Sequence, residues 1–151
     1  MVQHEDAELL RRIPMFVDMA APELNQLAAA SERVTFASGQ ELFQQGEAAD
    51  AAYIFVEGSA DVIVTTPNGA LTVARVGKND FVGEIAILCD VPRTATVKAT
   101  SDLRTLRLSK DYFLDLVAKN PTIAVHIMRV LAQRLETTTA QLREVSARTW
   151  A

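Results

Sequence analysis

Apolar and polar positions alternate along this chain with two different periods. Apolar residues recur at helical spacing from Leu9 to Phe16 and again from Pro22 to Ala30, predicting two short helices, the second opened by a proline suited to a first helical position. From Arg33 the period shortens to that of strands. Short β-rich runs follow at Val34–Phe36, Glu41–Phe43, Tyr53–Val56, Asp61–Val64, Leu71–Ala74, Thr94–Ala99 and Leu103–Leu108. Turn signals divide them at Ser38-Gly39, Gly46, Gly58, Pro67-Asn68-Gly69 and Gly77-Lys78-Asn79-Asp80. Asn68-Gly69 between apolar runs is a strong hairpin signal. Several short strands at nearly even spacing predict a closed antiparallel β-roll or jelly roll.

After Ser109, a residue able to cap a helix, Lys110–Ala118 reads as helix, and Asn120-Pro121 ends it and opens another. The expected fold class is therefore mainly β with flanking helices (α+β). N-terminal helices occupy 1–32, the roll 33–109 and the C-terminal helices 110–151, all within one domain. In the last helix Met128, Leu131, Leu135, Thr138, Leu142 and Val145 fall three and four residues apart, the spacing of a coiled-coil seam. Two readings follow: a parallel homodimer through this helix, which we favour, or a single amphipathic helix lying on its own β-roll.

Composition narrows the function classes. Nearly half of the 151 residues are hydrophobic, enough to build a real core, and the net charge of −4 argues against a surface made for a nucleic-acid backbone. The single cysteine, Cys89, cannot form an internal disulfide and reads as an ordinary loop thiol. The first residues lack the basic start and apolar core of a secretory signal, and no stretch has the apolar length to cross a bilayer, so a cytoplasmic address is expected, with no membrane partner. His4 and His126 are the only histidines and neither falls on a predicted strand, which argues against a metal-dependent enzyme in the barrel; no metal and no catalytic residue are expected.

The chemistry concentrates between Phe81 and Val97. Gly83 permits backbone conformations closed to other residues, and Glu84–Leu88 is long enough for only about one helical turn. The first amides of such a turn, at Ile85 and Ala86, stand ready for a phosphate, and Arg93 can close over the same anion with its planar fork of donors. Glu84 repels a phosphate, so its carboxylate calls for a donor such as a sugar hydroxyl. One phosphate with one hydroxyl describes a singly charged nucleotide more than it describes ATP, and no Gly-Lys-Ser/Thr phosphate loop is present.

Gly83-Glu84-Ile85-Ala86 followed by Pro92-Arg93-Thr94-Ala95-Thr96 resembles the phosphate-binding cassette of cyclic nucleotide-binding domains, and Gly46, Gly58 and Gly77 sit where that family places glycines. The resemblance runs from about Leu10 to about Val145. It implies that Glu84 takes the ribose 2′-hydroxyl, that Arg93 takes the cyclic phosphate, and that amides near Ile85, Ala86 and Thr94 complete the anion site. In the catabolite-activator branch the long helix pairs subunits and supplies hydroxyls to the adenine, which makes Thr138 and Thr139 candidates for base contact. Trp150 is an alternative that would stack on the base. Thr94 reads toward guanine by resemblance to cyclic-GMP-dependent kinases; with Thr138 and Thr139 weighed in, cAMP is preferred to cGMP.

That branch continues into a helix-turn-helix module, whereas this sequence stops at Ala151, so no DNA-binding domain and no nucleic-acid partner are expected. A free-standing sensor and the regulatory fragment of a larger transcription factor, channel or kinase both fit, with the downstream protein partner unknown. The expected mechanism is ligand-driven movement of the last helix, with Ile87 and Leu88 repacking against the helices after Ser109. The rival is a dimerising scaffold of the same fold that has lost its ligand.

Overall fold

Among the described residues eight strands and five α-helices follow one another; seven of the strands and the helices keep the order that the sequence predicts, and the short strand Phe81–Val82 is an addition to it. The computed structural model describes the backbone of residues 2–150 and the side chains of residues 7–144. The side chains of His4, Val145 and Trp150, each singled out above, lie outside the described residues. The chain forms two compact units, Met1–Leu116 and Val117–Ala151.

The first unit opens with α1 (Val2–Arg11), a 3-10 turn at Pro14–Phe16, and α2 (Ala21–Ala30). The expected helix over Leu9–Phe16 is therefore corrected. α1 begins earlier and stops at Arg11, because Pro14 has no amide to donate and the residue before it is pushed to extended backbone, as Ile13 is at ψ 125°.

The strands are β1 (Glu32–Phe36), β2 (Glu41–Phe43), β3 (Ala51–Glu57), β4 (Ala60–Thr66), β5 (Gly69–Val76), β6 (Phe81–Val82), β7 (Thr96–Ala99) and β8 (Leu103–Ser109). They form two four-stranded antiparallel sheets, ordered β1-β8-β3-β6 and β2-β7-β4-β5. The core between them is built from inward residues at period two, including Phe36, Tyr53, Phe55, Val82, Val97 and Leu103. Residues Ala51 to Phe55 of β3 are all buried, since Ile54 and Ala52 point away from this core to a face that is itself covered. Leu9 and Leu10 of α1 and Ile13 after it border a small cavity with Val56 and Leu106 on that face. β5, in contrast, is exposed along nearly its whole length.

β1, β3, β4, β5 and β8 run one or two residues past their expected bounds, and two other expectations shift. β7 starts at Thr96 rather than Thr94, because Arg93 spends its backbone on a loop, as described below. The β4–β5 turn falls on Pro67-Asn68, with Thr66 opposite Gly69, one residue before the Asn-Gly pair. Proline presets the first central position of the turn, and the Asn68 amide donates to Thr66 Oγ1 at 3.2 Å.

Thr105 of β8 is buried, and its hydroxyl donates to the carbonyl of its cross-strand neighbour Val34 at 2.7 Å. Thr105→Val keeps the shape and removes the donor, so urea unfolding should show a loss of about 0.5–1.5 kcal/mol. α4 (Lys110–Lys119) starts at Ser109, whose Oγ accepts from the Tyr112 amide at 3.3 Å, the expected cap.

The second unit holds α5 (Pro121–Trp150), which opens at the proline as expected. Met128, Leu135 and Leu142 of the seam are exposed on it, and Thr138 donates its hydroxyl to the Arg134 carbonyl at 2.9 Å.

Candidate functional site

The cassette is assembled from the stretch between β6 and β7 and the loop between β2 and β3, both in the first unit. β6 pairs with β3, Tyr53 opposite Val82, and delivers the chain to Gly83 beside the start of β3. Gly83 has φ +89°, and a β-carbon there would stand 2.7 Å from Arg93 Nη1 and 3.0 Å from the Ala51 carbonyl oxygen. Only glycine fits both the left-handed backbone and the close approach. It caps α3 (Glu84–Cys89), the expected short helix. α3 ends in a Schellman arrangement: Val91 N–H bonds the Ala86 carbonyl at 3.0 Å and Asp90, at φ +54°, takes the left-handed position. Pro92 then prevents further helix and aims Arg93 back toward the roll.

Arg93 is the centre of the arrangement. Its backbone is held on both sides by the loop after β2: Arg93 N–H donates to the Glu47 carbonyl and Gly46 N–H donates to the Arg93 carbonyl, each at 2.8 Å. That loop is tied to β4 in turn, because the Gln45 carboxamide spans the Thr65 amide and carbonyl at 2.8 and 3.4 Å. The Arg93 side chain is buried. Nη1 donates to the Gly83 carbonyl at 2.9 Å and Nη2 to the Ala51 carbonyl at 2.6 Å, while the guanidinium lies 4.0 Å over the Phe43 ring.

This leaves the cation short of negative charge. Asp50 approaches Nη2 only at 3.4 Å with a largely exposed carboxylate, and the buried Nε has no hydrogen-bond partner among the described residues. Desolvation by burial pushes the Arg93 pKa down from its ordinary value, and the Asp50 charge opposes this. A buried guanidinium so weakly compensated has the chemistry to accept an anion, since a buried charge is costly without close partners.

The other expected residues divide. Glu84 and Ala86 are buried, whereas Ile85 and Thr94 are exposed. Glu84 Oε2 accepts no hydrogen bond among the described residues, although the residue is engaged elsewhere. Gly83, Glu84, Ile85, Ala86, Arg93 and Thr94 thus belong to one short stretch brought against β3. Thr138 (exposed) and Thr139 (half-buried) belong to the second unit. Sequence reasoning missed Asp50, Ala51 and Phe43. An acid immediately before a strand was the available signal for Asp50, but its pairing with Arg93 spans 43 residues and has no local trace. Among the described residues no three His, Cys, Asp or Glu side chains cluster as a metal would need, and no described helix is long and apolar enough to cross a membrane.

A β-roll of this topology with a glycine-capped turn and a buried arginine defines a class, and residues 33–120 match the profile of the cyclic nucleotide-binding domain. The chain belongs to that family. It is 27% identical over 139 residues to the CRP-like cAMP-activated global transcriptional regulator of Mycobacterium tuberculosis, covering 91% of this chain and 62% of that protein. It is 36% identical over 108 residues to the cAMP-dependent protein kinase regulatory subunit of Yarrowia lipolytica, covering 72% of this chain and 28% of the other. The structure of the regulatory subunit of a cAMP-independent protein kinase A from Trypanosoma brucei aligns with a TM-score of 0.79 at 26% identity, over 93% of this chain and 52% of that one. The chain thus spans less than two thirds of each of these relatives.

Proposed function

We propose that this chain is a regulatory module that binds a cyclic nucleotide, cAMP in preference to cGMP, and reports it by moving its C-terminal helix. The buried Arg93 guanidinium, with Nε lacking an acceptor and Asp50 at a long 3.4 Å, is the observation that carries this reading. In it Arg93 takes the phosphate, the amides of Ile85, Ala86 and Thr94 complete the anion site, and Gly83 lets the main chain approach. Glu84 takes the ribose hydroxyl, and Thr138 and Thr139 meet the base. The cAMP preference draws support from relatives that are cAMP-activated and cAMP-dependent. Exposed Met128, Leu135 and Leu142 fit a homodimer through α5, and the whole chain then acts as one module toward an effector protein. Binding energy can move α5 only by its difference between two states of the helix.

The test is calorimetric titration with cAMP, cGMP, adenosine and guanosine. The expected order places cAMP first and both nucleosides far behind, because they lack the phosphate. Nucleosides belong in the titration because one similar structure is the regulatory subunit of a cAMP-independent protein kinase A. Nucleosides binding as tightly as cyclic nucleotides would overturn the phosphate grip, and no binding at all would favour the ligand-free scaffold. In the same assay Glu84→Ala should weaken cAMP by about one to two decades, the value of a charge-assisted hydrogen bond of about 1.5–3 kcal/mol. Thermal unfolding gives a parallel readout, since ligand at 100 times its Kd adds about 2.7 kcal/mol.

A further inference from the structure

Asp50 stands between two guanidinium groups from different parts of the fold. Its Oδ2 meets Arg107 Nη2 at 3.0 Å, whereas its Oδ1 meets Arg93 Nη2 at 3.4 Å. Its own carbonyl accepts from the Lys110 amide at 2.9 Å, so the backbone beneath the carboxylate is fixed at the junction of β8 and α4. Arg93 cannot adjust toward it, because its side chain is 1% exposed and committed to the carbonyls of Gly83 and Ala51. The Asp50 side chain is 70% exposed and is the movable member of the pair. Arg107 is braced as well. It lies on β8 opposite Glu32 of β1 and Tyr53 of β3, and its Nη1 approaches Glu32 Oε2 at 3.6 Å.

We propose that Arg107, outside the anion site, sets the affinity of that site by holding the Asp50 carboxylate away from Arg93. The inference rests on the phosphate-binding role of Arg93 given above. An anionic ligand and Asp50 compete for one buried cation. While Arg107 keeps the shorter contact, Arg93 remains undercompensated and open to a phosphate; without Arg107, Asp50 closes on Arg93 and becomes an internal competitor. Arg107 is then a positioning residue that touches no ligand and acts through Asp50. Nothing in the sequence separates it from other strand arginines such as Arg104, which pairs with Glu57 at 3.1 Å on the exposed surface.

The experiment is a double-mutant cycle read by cAMP titration, with NMR of the arginine guanidinium groups in the ligand-free protein. Arg107→Gln should weaken cAMP about threefold, the scale of a partly exposed ion pair, and Arg107→Lys should restore most of the loss. In an Asp50→Asn background the Arg107→Gln change should have no effect, because the competitor is already gone. A merely structural role would persist in that background, and persistence overturns the proposal. In the free protein Arg107→Gln should shift the Arg93 guanidinium resonances as Asp50 moves onto them, and Arg107→Lys should not. If the parent binds no cyclic nucleotide, the functional reading fails separately, and the NMR arm alone decides the competition: unmoved Arg93 resonances overturn it.

Discussion

Arg93→Ala is expected to weaken cyclic nucleotide binding by about two to four decades, because removing one side of a desolvated ion pair costs roughly 3–5 kcal/mol. The geometry explains why the loss is large. With the guanidinium gone, a phosphate in the cassette would face the carbonyls of Gly83 and Ala51 and the carboxylate of Asp50, three acceptors that now hold a donor between them. Stability of the free protein should change much less. The variant leaves two carbonyls without their donor but also removes a charge that is expensive to bury, and these effects oppose one another. Arg93→Lys should fall between parent and alanine, since it keeps the charge and loses the planar fork. Calorimetry with circular dichroism as a fold control checks both variants. An alanine variant that binds as the parent does would place the phosphate elsewhere.

Gly83→Ala should damage both stability and binding. Its φ of +89° costs an L-residue about 1–2 kcal/mol, and the added β-carbon must displace either Arg93 Nη1 or the Ala51 carbonyl, for which overpacking costs about 1–3 kcal/mol more. Arg93 is the softer neighbour, so its bond to the Gly83 carbonyl yields first. Affinity should then fall by about one to two decades, the value of one hydrogen bond to a charged group. Gly39→Ala is the matched control. It has nearly the same φ, +91°, but nothing within 4 Å of the added carbon. Chemical denaturation of the two variants separates strain from collision, and equal losses in both would show that the crowding at Gly83 is harmless.

Much of the architecture could be read locally. Helix starts at Ser109 and Pro121, the period-two runs of β3, β4 and β8, and the short helix after Gly83 follow from capping, side-chain alternation and backbone freedom, which act over a few residues. Misreadings arose where two local signals competed. Pro14 cut short a helical pattern that the apolar spacing carried onward, and Pro67 drew a turn that Asn68-Gly69 also claimed. β6, of two residues, was not distinguished from the cassette that follows it, since its pairing with β3 is its main distinction.

The cassette shows the same division at finer scale. Gly83, Glu84 and Arg93 were recognisable as a group because glycine freedom, a helix start and a single arginine lie within one stretch of chain, where spacing alone limits their separation. The burial of Arg93, its contact with the Phe43 ring, and the sharing of Asp50 between Arg93 and Arg107 had no such trace. They arise because β3 pairs with both β6 and β8, bringing residues more than forty positions apart within hydrogen-bond distance. Local pattern thus marks out candidate residues, whereas the burial, partners and freedom of each group depend on neighbours that only sheet pairing supplies.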